Sequence, residues 1–208
     1  MKRYTLFVLA LFALGRQPLL AQEAEPAQEF YPDGRLKAEG KNANGRRDGY
    51  WYGYHPNGNM AAIEHYLNGQ LHGTRKLYTL EGELERRETW RNGSQEDSTI
   101  FYYPGQVVKK AGVMKAGKPH GTWTTYNPDG SPRQKAQYKQ GLPDGEWLIY
   151  DERGTLRQRG QYTAGRESGH WQFYYPDGKL ESEGDFADGQ KVGPWYSYSP
   201  KGKRRKQK

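Results

Sequence analysis

The chain has no cysteine. That removes disulfide staples, thiol nucleophiles and a lipid-modified N-terminal cysteine together. It also has no apolar run of the roughly 20 residues that a membrane-spanning helix needs; Tyr4–Leu14, near the start, has eleven. Glycine-marked turns leave no later run long enough for a helix. Apolar residues make up only 34% of the chain and charged residues 27%, a balance that alone would suggest disorder. There is no Gly-x-Ser-x-Gly elbow for a hydrolase. No glycine-rich loop continues into Lys-Ser/Thr, so a phosphate loop is not supported either.

What the chain has is charge at its ends and aromatics in its middle. Of the net charge of +8, six positive charges sit in Lys201, Lys203, Arg204, Arg205, Lys206 and Lys208, and three in Lys2, Arg3 and Arg16. Without them Leu19–Pro200 carries −1, so a broad nucleic-acid face is not expected. Lys2 and Arg3, then Tyr4–Leu14, then Leu19-Leu20-Ala21 before Gln22 follow the order of a secretory signal peptide. The expected layout is a signal at residues 1–21, a linker at 22–29, a repeat array at 30–200 and a basic disordered tail at 201–208. Export to a periplasm or beyond follows, with an uncleaved anchor as the alternative.

The array announces itself by period. Aromatics recur every 24 residues at Phe30, Tyr54, Tyr78, Tyr102, Tyr126, Tyr150, Tyr174 and Tyr198. Three residues before each anchor stands Trp51, Trp123, Trp147, Trp171 or Trp195, with Arg75 and Thr99 in the two intervening units. Twelve residues after it come Tyr66, Trp90, Met114, Tyr138, Tyr162 and Phe186, with Asn42 in the first copy. Glycines keep the same time: one set closes a first turn (Gly34 to Gly202), a second closes the next (Gly45 to Gly189). A third, including Gly121, Gly145, Gly169 and Gly193, precedes the tryptophan column, where Asp97 breaks it. These sets hold 21 of the 27 glycines. Such regularity marks backbone that needs positive φ or close approach. Pro-Asn-Gly and Pro-Asp-Gly between apolar runs are turns.

The reading is all-β: an elongated single-layer antiparallel meander of tandem hairpins of about 24 residues. At about 4.8 Å per strand, seven repeats would span on the order of 65 Å. In the second strand of a unit, Leu180, Gly184 and Phe186 share one face; Glu181, Glu183 and Asp185 take the other. The first strand leaves two alternatives, since Trp171 and Tyr174 are three apart: either the strand is bulged or aromatics occupy both faces.

The pattern Gly-x-Trp-x-x-Tyr-x-Pro-x-Gly-x-Leu followed by Tyr-x-x-Gly-x-x-x-Gly resembles a MORN repeat in its bacterial variant form. The matching positions include Gly121, Trp123, Tyr126, Pro128, Gly130, Tyr138, Gly141 and Gly145, and Gly169 to Gly193 matches again. Proteins built this way are grouped with the YwqK-type antitoxin-like family. The resemblance covers Phe30 to Pro200 and implies a hairpin array without enzymatic activity that serves protein contact or membrane-proximal scaffolding. An antitoxin would act by sequestering a toxin, a role that a secretion signal fits badly. The Arg75 and Thr99 units depart from the pattern and read as degenerate.

Little chemistry competes with that reading. His72 and His120 are two repeats apart, roughly 19 Å at strand spacing, too far to share a zinc ion. Asp48, Glu96 and Asp144 are also two repeats from one another and read as turn residues, not as a catalytic carboxylate pair. No catalytic, metal or cofactor site is expected. The tryptophan column is read as core, since a thin sheet needs large side chains to bury area. Tyr52, Tyr103, Tyr175 and Tyr196 lie outside the main columns and are the candidate partner or ligand surface. The expected function is a non-enzymatic scaffold for protein contact at the cell envelope. A carbohydrate- or cell-wall-binding module, or a toxin-neutralising protein, is the alternative, and the basic tail could hold an anionic surface.

Overall fold

A computed structural model describes residues 24–207. The expected signal, residues 1–21, lies outside them. Seventeen strands, from Glu25–Phe30 to Arg204–Lys206, form one open sheet. Successive strands pair antiparallel, as in a meander, except that Gln70–Leu71 and Gly73–Tyr78 both pair with Met60–Leu67, as two pieces of one interrupted strand. The rest of the described chain is turns, including one 3₁₀ turn at Pro104–Gln106.

Two turn types alternate, and each follows from its residues. At Tyr175-Pro176-Asp177-Gly178 the Gly178 amide donates to the Tyr175 carbonyl at 2.9 Å, and the Tyr175 amide donates to the Lys179 carbonyl at 2.8 Å. Proline presets the first φ and Gly178, at φ 80°, takes the left-handed closing position. The other turn is Asn-Gly, with positive φ at both residues, 52° at Asn44 and 71° at Gly45. That is the type I′ turn whose twist suits a hairpin. Ala116, Gln140 and Ala164 hold the asparagine position at φ between 49° and 51°, a conformation that costs an L-residue about 1–2 kcal/mol. The 21 glycines of the periodic sets are the glycines with positive φ, and Asp97, where the third set breaks, adopts φ 58°.

The register places the core in one cross-strand row. Trp171 pairs with Gly184, and Trp51, Trp123, Trp171 and Trp195 each lie over the glycine eleven residues earlier in the chain. A Cβ on Gly160 would fall 2.1 Å from the Trp171 ring. The ring therefore lies flat where no side chain exists. Its indole N–H donates to the carbonyl just after that glycine, as from Trp51 to Lys41 at 2.9 Å and from Trp123 to Val113 at 3.0 Å. That carbonyl sits where the register skips, as between Glu39 and Lys41, so the bulge supplies the acceptor. Only 2% of Trp51 and of Trp171 is exposed. Trp147 meets Ala136 where the others meet glycine; it is only part-buried, and Gly145, two residues before it, stands at φ 115°.

Further cover comes from side chains. In the C-terminal half a run of rings, Tyr138, Trp147, Tyr162, Trp171, Phe186 and Trp195, packs with centroids 4.9–6.4 Å apart. Near the N-terminus the Arg47 guanidinium lies 4.0 Å over Trp51.

The two units without tryptophan are coherent, not decayed. Where glycine would lie under a ring, the same row carries Glu64 and Glu88, and where the ring would lie it carries Arg75 and Thr99. Arg75 Nε donates to Glu64 at 2.8 Å and its Nη1 lies 3.5 Å from Glu88. Glu88, with a side chain only 3% exposed, also meets Arg86 at 3.2 Å and accepts from the Trp90 indole at 2.9 Å. An ion network replaces ring on glycine.

Four expectations are corrected or settled. The 201–208 tail, expected to be disordered, contributes strand Arg204–Lys206, which pairs with Tyr196–Tyr198. The unpaired edge of the last hairpin recruits it through a Ser199–Gly202 turn. The 22–29 linker likewise overlaps strand Glu25–Phe30, because the first hairpin needs its other half. Residues 169–173 pair one for one with 186–182, so Trp171 and Tyr174 point to opposite faces and aromatics occupy both. Gly184 and Phe186 share the tryptophan face, whereas Leu180 sits at the register shift opposite Tyr174.

Gly160→Ala is expected to overpack Trp171 and lower stability by about 1–3 kcal/mol, read by urea unfolding. Arg75→Ala removes the cation shared by Glu64 and Glu88, which keep Arg47 and Arg86 respectively, and is expected to cost about 1–3 kcal/mol. The pair Glu64→Gly with Arg75→Trp restores the pattern of the other units and should cost less in the same assay.

Candidate partner surface

Alternation fixes what the other face carries. Opposite the tryptophans runs a second in-register row: Gln28, Glu39, Tyr52, Ile63, Lys76, Arg87, Ile100, Ala111, Thr124, Lys135, Leu148, Arg159, Gln172, Glu183, Tyr196 and Lys206. The tryptophan row repeats because each unit solves one packing problem. This row mixes cations, carboxylates, aliphatics and tyrosines with no 24-residue rule.

The four spare tyrosines part company here. Tyr103 and Tyr175 occupy the position after the anchor, and their hydroxyls donate to the next repeat's anchor carbonyl, at 3.1 Å to Tyr126 and 2.7 Å to Tyr198. Tyr31 and His55 make the same link. It ties successive first turns together, so these tyrosines are braces between repeats. Tyr52 and Tyr196 lie in the open row instead. Tyr52 is 37% exposed. Tyr196 lies under the Arg204 guanidinium, 3.4 Å from its ring centroid.

The anchors turn their hydroxyls to the same face. Tyr54 donates to Glu39 at 2.7 Å and Tyr198 to Glu183 at 2.5 Å. Each bond holds the proton on the phenol and raises its pKa, with the carboxylate partner as the leading cause. Glu183 is correspondingly lowered, first by Tyr198 and against burial, then by His170 and Gln172.

His170 is bracketed by two carboxylates, with Nδ1 at 3.0 Å from Asp185 and Nε2 at 3.2 Å from Glu183. Burial pushes its pKa down, but the hydrogen bonds and charges of Asp185 and Glu183 outweigh that and raise it. Tyr50, missed by column reading because it belongs to none, is 59% exposed and meets His65 edge-on at 4.8 Å. Its alternation with Trp51 was the available signal. With Tyr52, Pro26, Gln28, Glu39, Lys41 and Asp48 it lines an open cleft of about 650 Å³.

Asp48, Glu96 and Asp144 act as turn residues. They accept from the amides of Asn68 at 3.1 Å, Ala116 at 2.9 Å and Ala164 at 3.1 Å, which caps the hairpin of the next repeat. His72 meets Asn92 in that column at 3.2 Å. No three His, Asp or Glu side chains among the described residues are arranged to hold a metal ion. No helix of the described residues is long and apolar enough to cross a membrane.

Four segments, residues 47–68, 119–140, 143–164 and 167–188, match the MORN repeat variant model. The unmatched units between the first and second segments contain Arg75 and Thr99. No curated protein matches. Among solved structures the chain is similar to a chain of the Photorhabdus luminescens Tc holotoxin pore, at 15% identity over 83% of this chain and 11% of that one, with a TM-score of 0.24. It is also similar to one of the TcdB2–TccC3 complex, at 13% identity over 84% and 14%, with a TM-score of 0.20. The chain thus spans 11–14% of the length of these two.

His170 gives a signed pH dependence. With its folded-state pKa above the unfolded value near 6.5, its contribution is present below about pH 6.5. It fades as pH rises through the folded-state pKa. The stability gap between wild type and His170→Gln should be larger at about pH 5.5 than at about pH 8.5. Urea unfolding at the two values measures it, and a gap that grows with pH would contradict the assignment.

Proposed function

We propose that the chain is a non-enzymatic repeat scaffold that binds another protein through the face opposite its tryptophans, at the cell envelope to which its N-terminal segment directs it. The tandem MORN-type units and the repeat sheet support the scaffold. The observation that carries the contact role is the open row from Gln28 to Lys206, none of whose side chains is buried and whose residues differ from unit to unit. A ribbon of that kind can present a long, specific pattern without a pocket. Neutralising a toxin by contact would be one case of the same reading.

Sugar binding by exposed rings has less support. Of the four candidate tyrosines, Tyr103 and Tyr175 spend their hydroxyls within the sheet and Tyr196 is covered by Arg204. A stacking platform needs bare ring faces in series, and Tyr52 with its neighbour Tyr50 is a short one.

Expression with the native N-terminus in a bacterial host should yield extracted protein beginning at Gln22, by mass spectrometry. Chemical cross-linking in intact envelopes should capture a defined protein, with yield reduced at least tenfold by the open-row variant Lys76→Glu, Arg87→Glu, Arg159→Glu. Protein retained in the cytosol with Met1 in place would overturn export. Capture unchanged by the triple variant would overturn the assignment of the contact face.

A further inference from the structure

One constellation on the open face occurs twice, six repeats apart. Gln28, Glu39, Tyr52 and Tyr54 are matched position for position by Gln172, Glu183, Tyr196 and Tyr198. The bonds match too. The anchor tyrosine donates to one carboxylate oxygen, at 2.7 Å from Tyr54 and 2.5 Å from Tyr198. The glutamine donates to the other, at 3.3 Å from Gln28 and 3.5 Å from Gln172. In the intervening units the Tyr52 position holds Lys76, Ile100, Thr124 and Leu148, so the set is not part of the repeat rule.

The copies differ in what lies over them. In the C-terminal copy the chain supplies its own partners. Arg204 places its guanidinium 3.4 Å from the Tyr196 ring centroid, and His170 bonds Glu183. Arg204 reaches there because it pairs across from Tyr198. In the N-terminal copy the residue across from Tyr54 is Met60, and Pro26 stands where His170 would. Glu39 has no ion-pair partner among the described residues. Lys41 and Asp48, cross-strand neighbours at the far end, carry opposite charges, which leaves Glu39 as the unbalanced charge of the cleft. Tyr52 and Tyr50 stand exposed beside it.

We infer that the cleft over Gln28, Glu39 and Tyr52 takes the guanidinium of an arginine side chain presented by an extended basic segment of a protein partner. This rests on the protein-contact reading above and names the chemistry of the contact. A planar guanidinium can lie on an exposed ring while its charge is met by a carboxylate beside it; in the occupied copy a guanidinium lies on the matching ring, and the matching carboxylate is met by His170. The open cleft beside the ring, about 650 Å³, leaves room for the flanking peptide.

The test uses the full chain and a blocked glycine-serine peptide with one central arginine, titrated by NMR. Saturable shifts are expected at Tyr52 and at the Gln28 side-chain amide. The same peptide with citrulline, which keeps the shape and loses the charge, should bind at least tenfold more weakly. Glu39→Gln should weaken arginine binding about fivefold. Met60→Arg places an internal cation where the other copy has Arg204, and should abolish peptide binding while the melting temperature is kept. Equal binding of the citrulline peptide, undiminished binding by Met60→Arg, or shifts at Tyr52 with a neutral oligosaccharide but not with the arginine peptide would each overturn the inference. If the arginine peptide fails while envelope capture still depends on Lys76, Arg87 and Arg159, this inference alone falls and the contact role stands.

Discussion

The structure depends on a tryptophan ring lying flat on a glycine. A single-layer sheet has no second layer against which to bury apolar area, so the area must be buried within the plane of the strands. A large ring can do that only where the strand beside it carries no Cβ. Gly40, Gly112, Gly160 and Gly184 meet that need, each with a Trp ring where its side chain would be. The consequences propagate. In these four units the glycine must fall opposite the ring, which fixes the register there. The indole N–H needs an acceptor, which the skipped pairing provides. Three residues such as Gly193-Pro194-Trp195 then face the single Gly184, and Gly193 takes the positive φ the bulge requires. Ala136 marks the margin: where one methyl group replaces the glycine, Trp147 is only part-buried.

The ion network at Glu64, Arg75 and Glu88 meets the same constraint by other means. Its carboxylates are largely withdrawn from water, Glu64 at 12% and Glu88 at 3% exposed, and that desolvation offsets much of what the pairing contributes. What it adds is distinction. Units of equal length and similar sequence can pair with the wrong partner, shifted by a whole repeat. A shift that set Glu88 under a tryptophan would bury a carboxylate against a ring and leave Arg75 unpaired. The aromatic run from Tyr138 to Trp195 has no such marker, and the polar stretch lies outside the four segments that match the repeat model.

The sequence carries the fold almost completely, because turn chemistry is local. Pro-Asp-Gly and Asn-Gly name their turn types without any knowledge of pairing, and the periodic glycines coincide with positive φ. What a column reading misses are relations between columns. Glu64 and Glu88 look like loss of a glycine and Arg75 like loss of a tryptophan, until the strand register sets them in one row. Tyr103 and Tyr175 look spare because the carbonyls they bond, of Tyr126 and Tyr198, lie 23 residues away in the next unit. Arg204–Lys206 looks like a tail because a strand that short has no period of its own; it exists because a hairpin edge was open beside it. The candidate surface was half legible for the same reason. Tyr52 and Tyr196 were visible as departures, but that they share one row with Glu39 and Glu183 was not.

The two faces therefore hold different kinds of information. Every unit must satisfy the same packing, so repetition on the tryptophan face reports the fold and nothing more. On the open face nothing enforces repetition. Lys76, Ile100, Thr124 and Leu148 fill one position in four successive units, and the sheet accommodates all of them. Recurrence there is the unusual event and needs a cause other than packing. Gln28, Glu39, Tyr52 and Tyr54 return as Gln172, Glu183, Tyr196 and Tyr198 with the same hydrogen bonds, and the later copy carries a guanidinium. A constellation repeated where packing does not demand it, and covered by a guanidinium in one place but open in the other, is where the proposed contact is placed, rather than on the conspicuous tryptophans.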